Sequence, residues 1–289
     1  FGLAYNLYLL DHNADLQARL LSRLRHTDQF QGAYYELLIA GALIRAGFEL
    51  ALEDEADRST KHCEFSARSK ASKQHYSVEV KMKAMAGVLG IGEQGSKDPK
   101  PHSSLVKQLN QSFKKPSQST RLIFIDLNTP LKLDGMGLPA WKNDVSARID
   151  KYENAELPDG ESAYLFVTNL PFHYHLFDAP SMAVLPVGLG ISDFNRPGSR
   201  RFTDEYLLRK KHADAYAICE SIAKAYVIPT TFDGSLPSEA LGRSRGRVLI
   251  GNTYDFDGIV GTVTSATVSE AEKVTYVAVQ EKNGKSSIL

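Results

Sequence analysis

The chain has 289 residues, 43% of them hydrophobic and 24% charged, which is enough for one large domain or two with a substantial core. Its 34 basic and 34 acidic side chains balance, so bulk charge does not advertise a polyanion, and any nucleic acid must be met by a local patch. Two cysteines, Cys63 and Cys219, are too few for a zinc ligand set or a disulfide framework and point to a reducing compartment, so a cytoplasmic location is expected.

No apolar run approaches the roughly 20 residues that span a bilayer, and no membrane partner is expected. The opening FGLAYNLYLLDHNADL lacks the basic flank and small-residue cleavage site of a signal peptide. Because the chain starts at Phe1 rather than Met and stops abruptly at Leu289, trimming of either end is expected. No internal repeat or low-complexity tract is visible.

Leu16, Leu20, Leu21 and Leu24 recur at helical spacing and predict an amphipathic helix over residues 14–25, read as a packing element. A second helix is expected to start after Thr27 or Asp28, either of which can cap it, and to run to Ala46, with Gly47 as its stop. On that helix Glu36 has Gly32, Ala33, Ile39 and Ala40 three and four residues away, a small apolar strip suited to close packing on a sheet. A carboxylate in that setting needs a partner or a metal, unless it is a plain surface residue. Residues 48–52 read as a strand, and EDEADRSTK after it as an acidic surface loop.

Residues 61–83, KHCEFSARSKASKQHYSVEVKMK, read as two short alternating strands, near 62–67 and 76–82, joined by a polar turn. Ser77, Glu79 and Lys81 share one face of the second strand while Val78, Val80 and Met82 take the other. An antiparallel pairing can bring Glu64 beside Glu79, so that two carboxylates and the Lys81 ammonium converge. Two close carboxylates repel unless a divalent cation holds both ionised; an oxygen-rich set suits Mg²⁺ or Mn²⁺, with Lys81 placed to orient or deprotonate a water.

These residues resemble the PD-(D/E)XK, or restriction-endonuclease-like, nuclease superfamily. The resemblance is carried by Glu64-Phe65, the hairpin, the Glu79-Val80-Lys81 triplet and the upstream helix QGAYYELLIAGALIRAGFEL with Glu36, over about residues 28–130. Cys63-Glu64 stands where a Pro-Asp pair is commoner in that family. The resemblance implies a metal-dependent nuclease on an αβββαβ core. Glu64 and Glu79 would be metal ligands, with Glu36 in support and the Val80 backbone carbonyl completing the shell. Lys81 would be catalytic, and cleavage would leave a 5′-phosphate.

After Lys81, Gly90, Gly92 and Gly95 formally match a dinucleotide fingerprint, but Pro99 and Pro101 follow where a helix should open, so a loop beside the site is expected instead. Ser103 or Ser104 then caps a helix, SSLVKQLNQSFKK. Lys97, Lys100, Lys107, Lys114, Lys115 and Arg121 form the densest positive region of the chain, either a phosphate-contacting patch or a solvated face. The resemblance also suggests Gln108 near the metal. RLIFIDL and AYLFVTNL read as buried strands, with a helix over 141–152 between them.

His173, His175 and Asp178 are spaced for a metal, but no further ligand supports one and a loop reading is preferred. A long helix is expected over 202–227. From residue 231 a polar linker leads to β-rich segments, expected to form a small barrel-like module or an extension of the core, with Arg243, Arg245 and Arg247 as further phosphate contacts.

The expected fold is therefore α/β: a mixed central sheet flanked by helices over residues 1–230 and a β-rich module over 231–289. The expected partner is nucleic acid, with DNA preferred; a homodimer is compatible with this reading, and the sequence leaves two-fold symmetry for double-strand cutting open. The rival reading is a catalytically silent nucleic-acid-binding or assembly module on the same fold.

Overall fold

The computed structural model describes residues 2–11, 13–52, 64–83, 104–115, 117, 119–129, 132–170, 183–195, 201–229, 232, 251, 253–256, 258–269 and 274–288. The chain divides into two compact units, Phe1–Gly234 and Ser235–Leu289. No helix among the described residues is long and apolar enough to cross a membrane.

The larger unit is built on one mixed six-stranded sheet in the order β1-β2-β3-β4-β5-β6, made of Phe48–Ala51, Phe65–Ser69, His75–Met82, Thr120–Asp126, Ala163–Asn169 and Ala183–Leu189. β1, β2 and β3 run as an antiparallel meander, β4 and β5 lie parallel to β3, and β6 returns antiparallel along the edge. β4 is apolar almost without interruption because it is covered on both faces. Pro186 is accommodated in β6, the last strand of the sheet among the described residues, where not every ladder hydrogen bond is needed.

Alternation along the strands feeds two cores. Val78, Val80, Leu122, Phe124 and Phe166 face α2 (Ala14–Leu24), α3 (Phe30–Arg45) and α7 (Ala213–Ile222), while α1 (Gly2–Leu9) packs against α3. Ile123, Ile125, Leu165 and Val167 face α4 (Leu105–Phe113) and α5 (Lys142–Ala155), the two crossover helices of the parallel strands. The leucine stripe of α2 is the physical reason that helix sits where it does: Leu16 and Leu20 are buried, and the Asn13 side chain accepts from the Leu16 N–H to cap it. Gly47 ends α3 with φ +89°, a conformation that costs glycine little.

Several elements differ from expectation. The helix predicted over 202–227 is two helices, α6 (Phe202–Lys211) and α7, broken at His212. The cause is tertiary: the buried His212 ring is held between the Tyr164 hydroxyl, 2.7 Å from Nδ1, and Asp193, 3.2 Å from Nε2. Neither Thr27 nor Asp28 caps α3; Gln29 occupies the cap position, without a side-chain bond. Ser104 stands at the cap of α4, but its hydroxyl donates to the Gln108 side-chain carbonyl instead of serving the backbone. The first hairpin strand begins at Phe65 and continues to Ser69, past the expected end, because β1 pairs with it as far as Ser69. α1 and β6 are additional to the elements read from sequence.

The smaller unit contains a four-stranded antiparallel meander, β7 (Thr253–Phe256), β8 (Ile259–Ser269), β9 (Val274–Glu281) and β10 (Ser286–Ile288), in the order β10-β9-β8-β7. Among its described residues Val263, Val277 and Val279 are buried, with Tyr254, Phe256 and Ile259 packed against them.

Candidate functional site

The meander puts β3 in the middle of the sheet, and Phe65 pairs with Val78, so one further step of the register sets Glu64 across from Glu79. The Glu64 N–H donates to the Val78 carbonyl at 3.1 Å, which fixes the entry into β2. Strand carbonyls two residues apart point the same way, so the Val80 carbonyl is directed to the same side of β3 as that of Val78.

Lys81 Nζ lies 2.7 Å from Glu64 Oε1 and 3.0 Å from Glu79 Oε2. Lys115, in the turn after α4, joins them with its Nζ 2.8 Å from Glu79 Oε1 and 3.5 Å from Glu64 Oε1. Arg19 of α2 completes the ring, Nη2 3.4 Å from Glu64 Oε2 and Nη1 3.4 Å from the Glu64 carbonyl. The Glu79 side chain is fully buried, and although an ammonium stands at ion-pair distance from each of its oxygens, neither oxygen receives a hydrogen bond of good geometry. Compensation of Glu79 is therefore mainly Coulombic, through the ammoniums of Lys81 and Lys115.

Burial by itself pushes the Glu64 carboxyl up, but Lys81 and Lys115, helped by the Lys81 hydrogen bond and by Arg23, reverse this and hold it below the usual carboxylate range. Burial likewise acts to lower the Lys81 ammonium, and Glu79 and Glu64 more than reverse it, so its pKa is raised. Both charged forms are favoured by their mutual contact.

Glu36 stands beside this cluster. It is 2% exposed and ion-paired with Arg23 of α2, while its Oε1 has no hydrogen-bond partner. Burial raises its pKa, Arg23 opposes that shift, and the Glu64 charge adds to it. Among the described residues no group of three acidic, histidine or cysteine side chains is arranged to hold a metal ion. The oxygen donors that converge are those of Glu64 and Glu79, with two ammoniums in the space between them.

The positive region read from sequence divides in the structure. Lys107 and Lys114 are exposed on α4 and just past its end. Lys115 turns inward to the carboxylates. Arg121 is not part of an exposed face: it is buried, ion-paired with Glu161, donates to the Lys115 carbonyl at 2.8 Å and stands 5.3 Å over the Phe113 ring. Gln108 is also buried, with its carbonyl oxygen accepting from Ser104. Lys97, Lys100, the Gly90–Gly95 motif, His173, His175, Asp178, Arg243, Arg245 and Arg247 lie outside the described residues.

Arg19 and Arg23 escaped the sequence reading because their helix was taken as packing; their four-residue spacing beside the leucine stripe was the available signal. A second polar cluster was missed where β3, β4 and β5 end. Asp126, fully buried, accepts from the Asn128 N–H at 2.7 Å, the Thr168 hydroxyl at 2.8 Å and the Leu170 N–H at 2.7 Å, and Tyr35 of α3 meets Thr168 at 2.7 Å. Burial pushes the Asp126 carboxyl up to about 6, against the pull of those three donors.

Compared with known proteins, the chain matches no family model, no curated protein and no solved structure.

Proposed function

We propose that the chain is a metal-dependent nuclease that hydrolyses phosphodiester bonds, with DNA as the preferred substrate and Mg²⁺ or Mn²⁺ as cofactor. The observation that carries this reading is the convergence of Glu64, Glu79 and Lys81 from two paired strands, with both oxygens of the buried Glu79 lacking a well-formed hydrogen bond. The element order α3, β1, β2, β3, α4, β4, with β4 parallel to β3, supports a restriction-endonuclease-like core of the αβββαβ type.

The residues fit a hard divalent cation by donor chemistry. Two carboxylates share neighbouring space and the Val80 carbonyl is directed to the β2 side of β3, where Glu64 stands, while the Lys81 and Lys115 ammoniums hold the place a cation would take. Glu64, Glu79 and the Val80 carbonyl would hold the ion, with Glu36 in support beside Arg23. When bound, such a cation lowers the pKa of its water and offsets charge developing at phosphorus. Lys81 orients the attacking water and donates to the phosphoryl oxygens. The water oxygen bonds to phosphorus as the bond to the leaving oxygen breaks; the water gives its proton to solvent, and the leaving oxygen takes one up from solvent. Lys107 and Lys114 are exposed for flanking phosphates.

The test is incubation of the full chain with supercoiled plasmid, linear duplex and single-stranded oligonucleotide in Mg²⁺, Mn²⁺ or EDTA, beside Lys81→Ala. Cleavage that needs the cation and falls by about 10²–10⁴-fold in the variant is expected. Equal inertness of wild type and Lys81→Ala on every substrate refutes it.

A second reading is favoured by the saturation of each carboxylate with ammonium, which suits a structural ion-pair cluster in a nucleic-acid-binding module without catalysis. That reading predicts binding without cleavage.

A further inference from the structure

We infer that Lys115 is a second lysine of the reacting site, one that serves as counter-ion to Glu79 and Glu64 and gives up that place to the divalent cation, leaving its ammonium beside the substrate phosphate. This rests on the metal-dependent reading above. Three cationic side chains, Lys81, Lys115 and Arg19, already face the two carboxylates, an excess of one positive charge. A divalent ion placed against the same Oε1 atoms cannot share that space with both ammoniums, because like charges a few ångströms apart repel strongly where water is excluded.

The contacts decide which lysine leaves. Lys81 hangs from the central strand β3 and makes a hydrogen bond of 2.7 Å to Glu64 as well as its contact with Glu79. Lys115 follows α4 in a turn, reaches Glu79 through an ion pair without hydrogen-bond geometry, and stands 3.5 Å from Glu64. Its backbone is nevertheless anchored, since Arg121, paired with Glu161, grips its carbonyl at 2.8 Å. An anchored backbone with a flexible four-carbon stem lets the ammonium swing while its origin stays fixed. Released next to the carboxylates, it adds positive charge where negative charge develops on the phosphate.

The test is calorimetric titration of the full chain with MnCl₂ and with MgCl₂, comparing wild type with Lys115→Met, Lys115→Gln and the exposed neighbour Lys114→Met. Glu79→Gln controls for the site itself. Removal of a competing ammonium is expected to tighten cation binding by about 10-fold in both Lys115 variants and leave Lys114→Met unchanged. On the substrate cut by wild type, both Lys115 variants are expected to lose kcat by about 10-fold or more with KM little changed, so that tighter metal accompanies slower turnover.

Unchanged cation affinity in both Lys115 variants, with Glu79→Gln weakened, overturns the counter-ion role and leaves the nuclease reading standing. If Glu79→Gln binds the cation as well as wild type, or no protein binds it, the metal-dependent reading falls and this inference falls with it.

Discussion

Arg121→Met separates a buried anchor from a phosphate contact. The Arg121 side chain is 3% exposed, and methionine retains most of the apolar stem while deleting the ion pair to Glu161, the hydrogen bond to the Lys115 carbonyl and the contact over Phe113. A hydrogen bond from a charged donor contributes about 1.5–3 kcal/mol, and a shielded cation–π contact about 1 kcal/mol or more. Against these, the desolvation cost of the guanidinium is relieved, and Glu161, 34% exposed, returns to water without becoming a buried unpaired charge. The net loss is about 2–3 kcal/mol.

With a urea slope of about 2 kcal/mol per molar, that lowers the unfolding midpoint by about 1–1.5 M. The fluorescence of Trp141, the single tryptophan, reports it directly, because Trp141 is buried in the same cluster as Phe113. A phosphate-contacting arginine behaves differently: its loss would leave the midpoint unmoved and reduce the slope of log affinity against log salt by about one unit. That pattern would refute the assignment of Arg121 to the interior.

Two further outcomes test other parts of the fold. Asp126, with its pKa raised to about 6 in the folded chain from 3.8, contributes stability that is fully present below about pH 4 and is lost as pH rises through 6, about 3 kcal/mol in full. About 2 kcal/mol of that falls between pH 4.5 and 7.5, so the stability advantage of wild type over Asp126→Asn, measured by urea titration, should shrink by that amount across the interval; a constant difference would show that Asp126 titrates normally. In β6, a Cβ on Gly188 would lie 2.6 Å from the Ile191 carbonyl oxygen and 2.9 Å from the Ile191 Cβ. Gly188→Ala should therefore cost about 2 kcal/mol or more by thermal melting, whereas Gly135→Ala, with open space around it, should change stability by less than about 0.5 kcal/mol.

Strand alternation alone was enough to put Glu79 and Lys81 on one face of β3, since a period of two leaves no other choice; an antiparallel pairing could bring Glu64 to them, and the observed register, Phe65 against Val78, does so. The continuous apolar runs of β4 and β5 and the leucine stripe of α2 were legible for the same reason: burial imposes a local period. Local pattern does not report where a long polar side chain goes once its backbone is placed. Lys114 and Lys115 are neighbours in one basic run, yet one is exposed and the other is drawn onto Glu79, because the turn after α4 points them apart. Arg121 looks like one more charge of that run, and its burial depends on Glu161, forty residues away.

The break at His212 follows from Tyr164 and Asp193, on elements the helix period cannot see, and the edge strand β6 gains its place by pairing with β5. Periodicity along the chain thus determined which faces are apolar and which acids share a strand face. The pairing of each charge with its counter-ion was decided by tertiary structure, because electrostatic compensation in a buried site is set by distance in space.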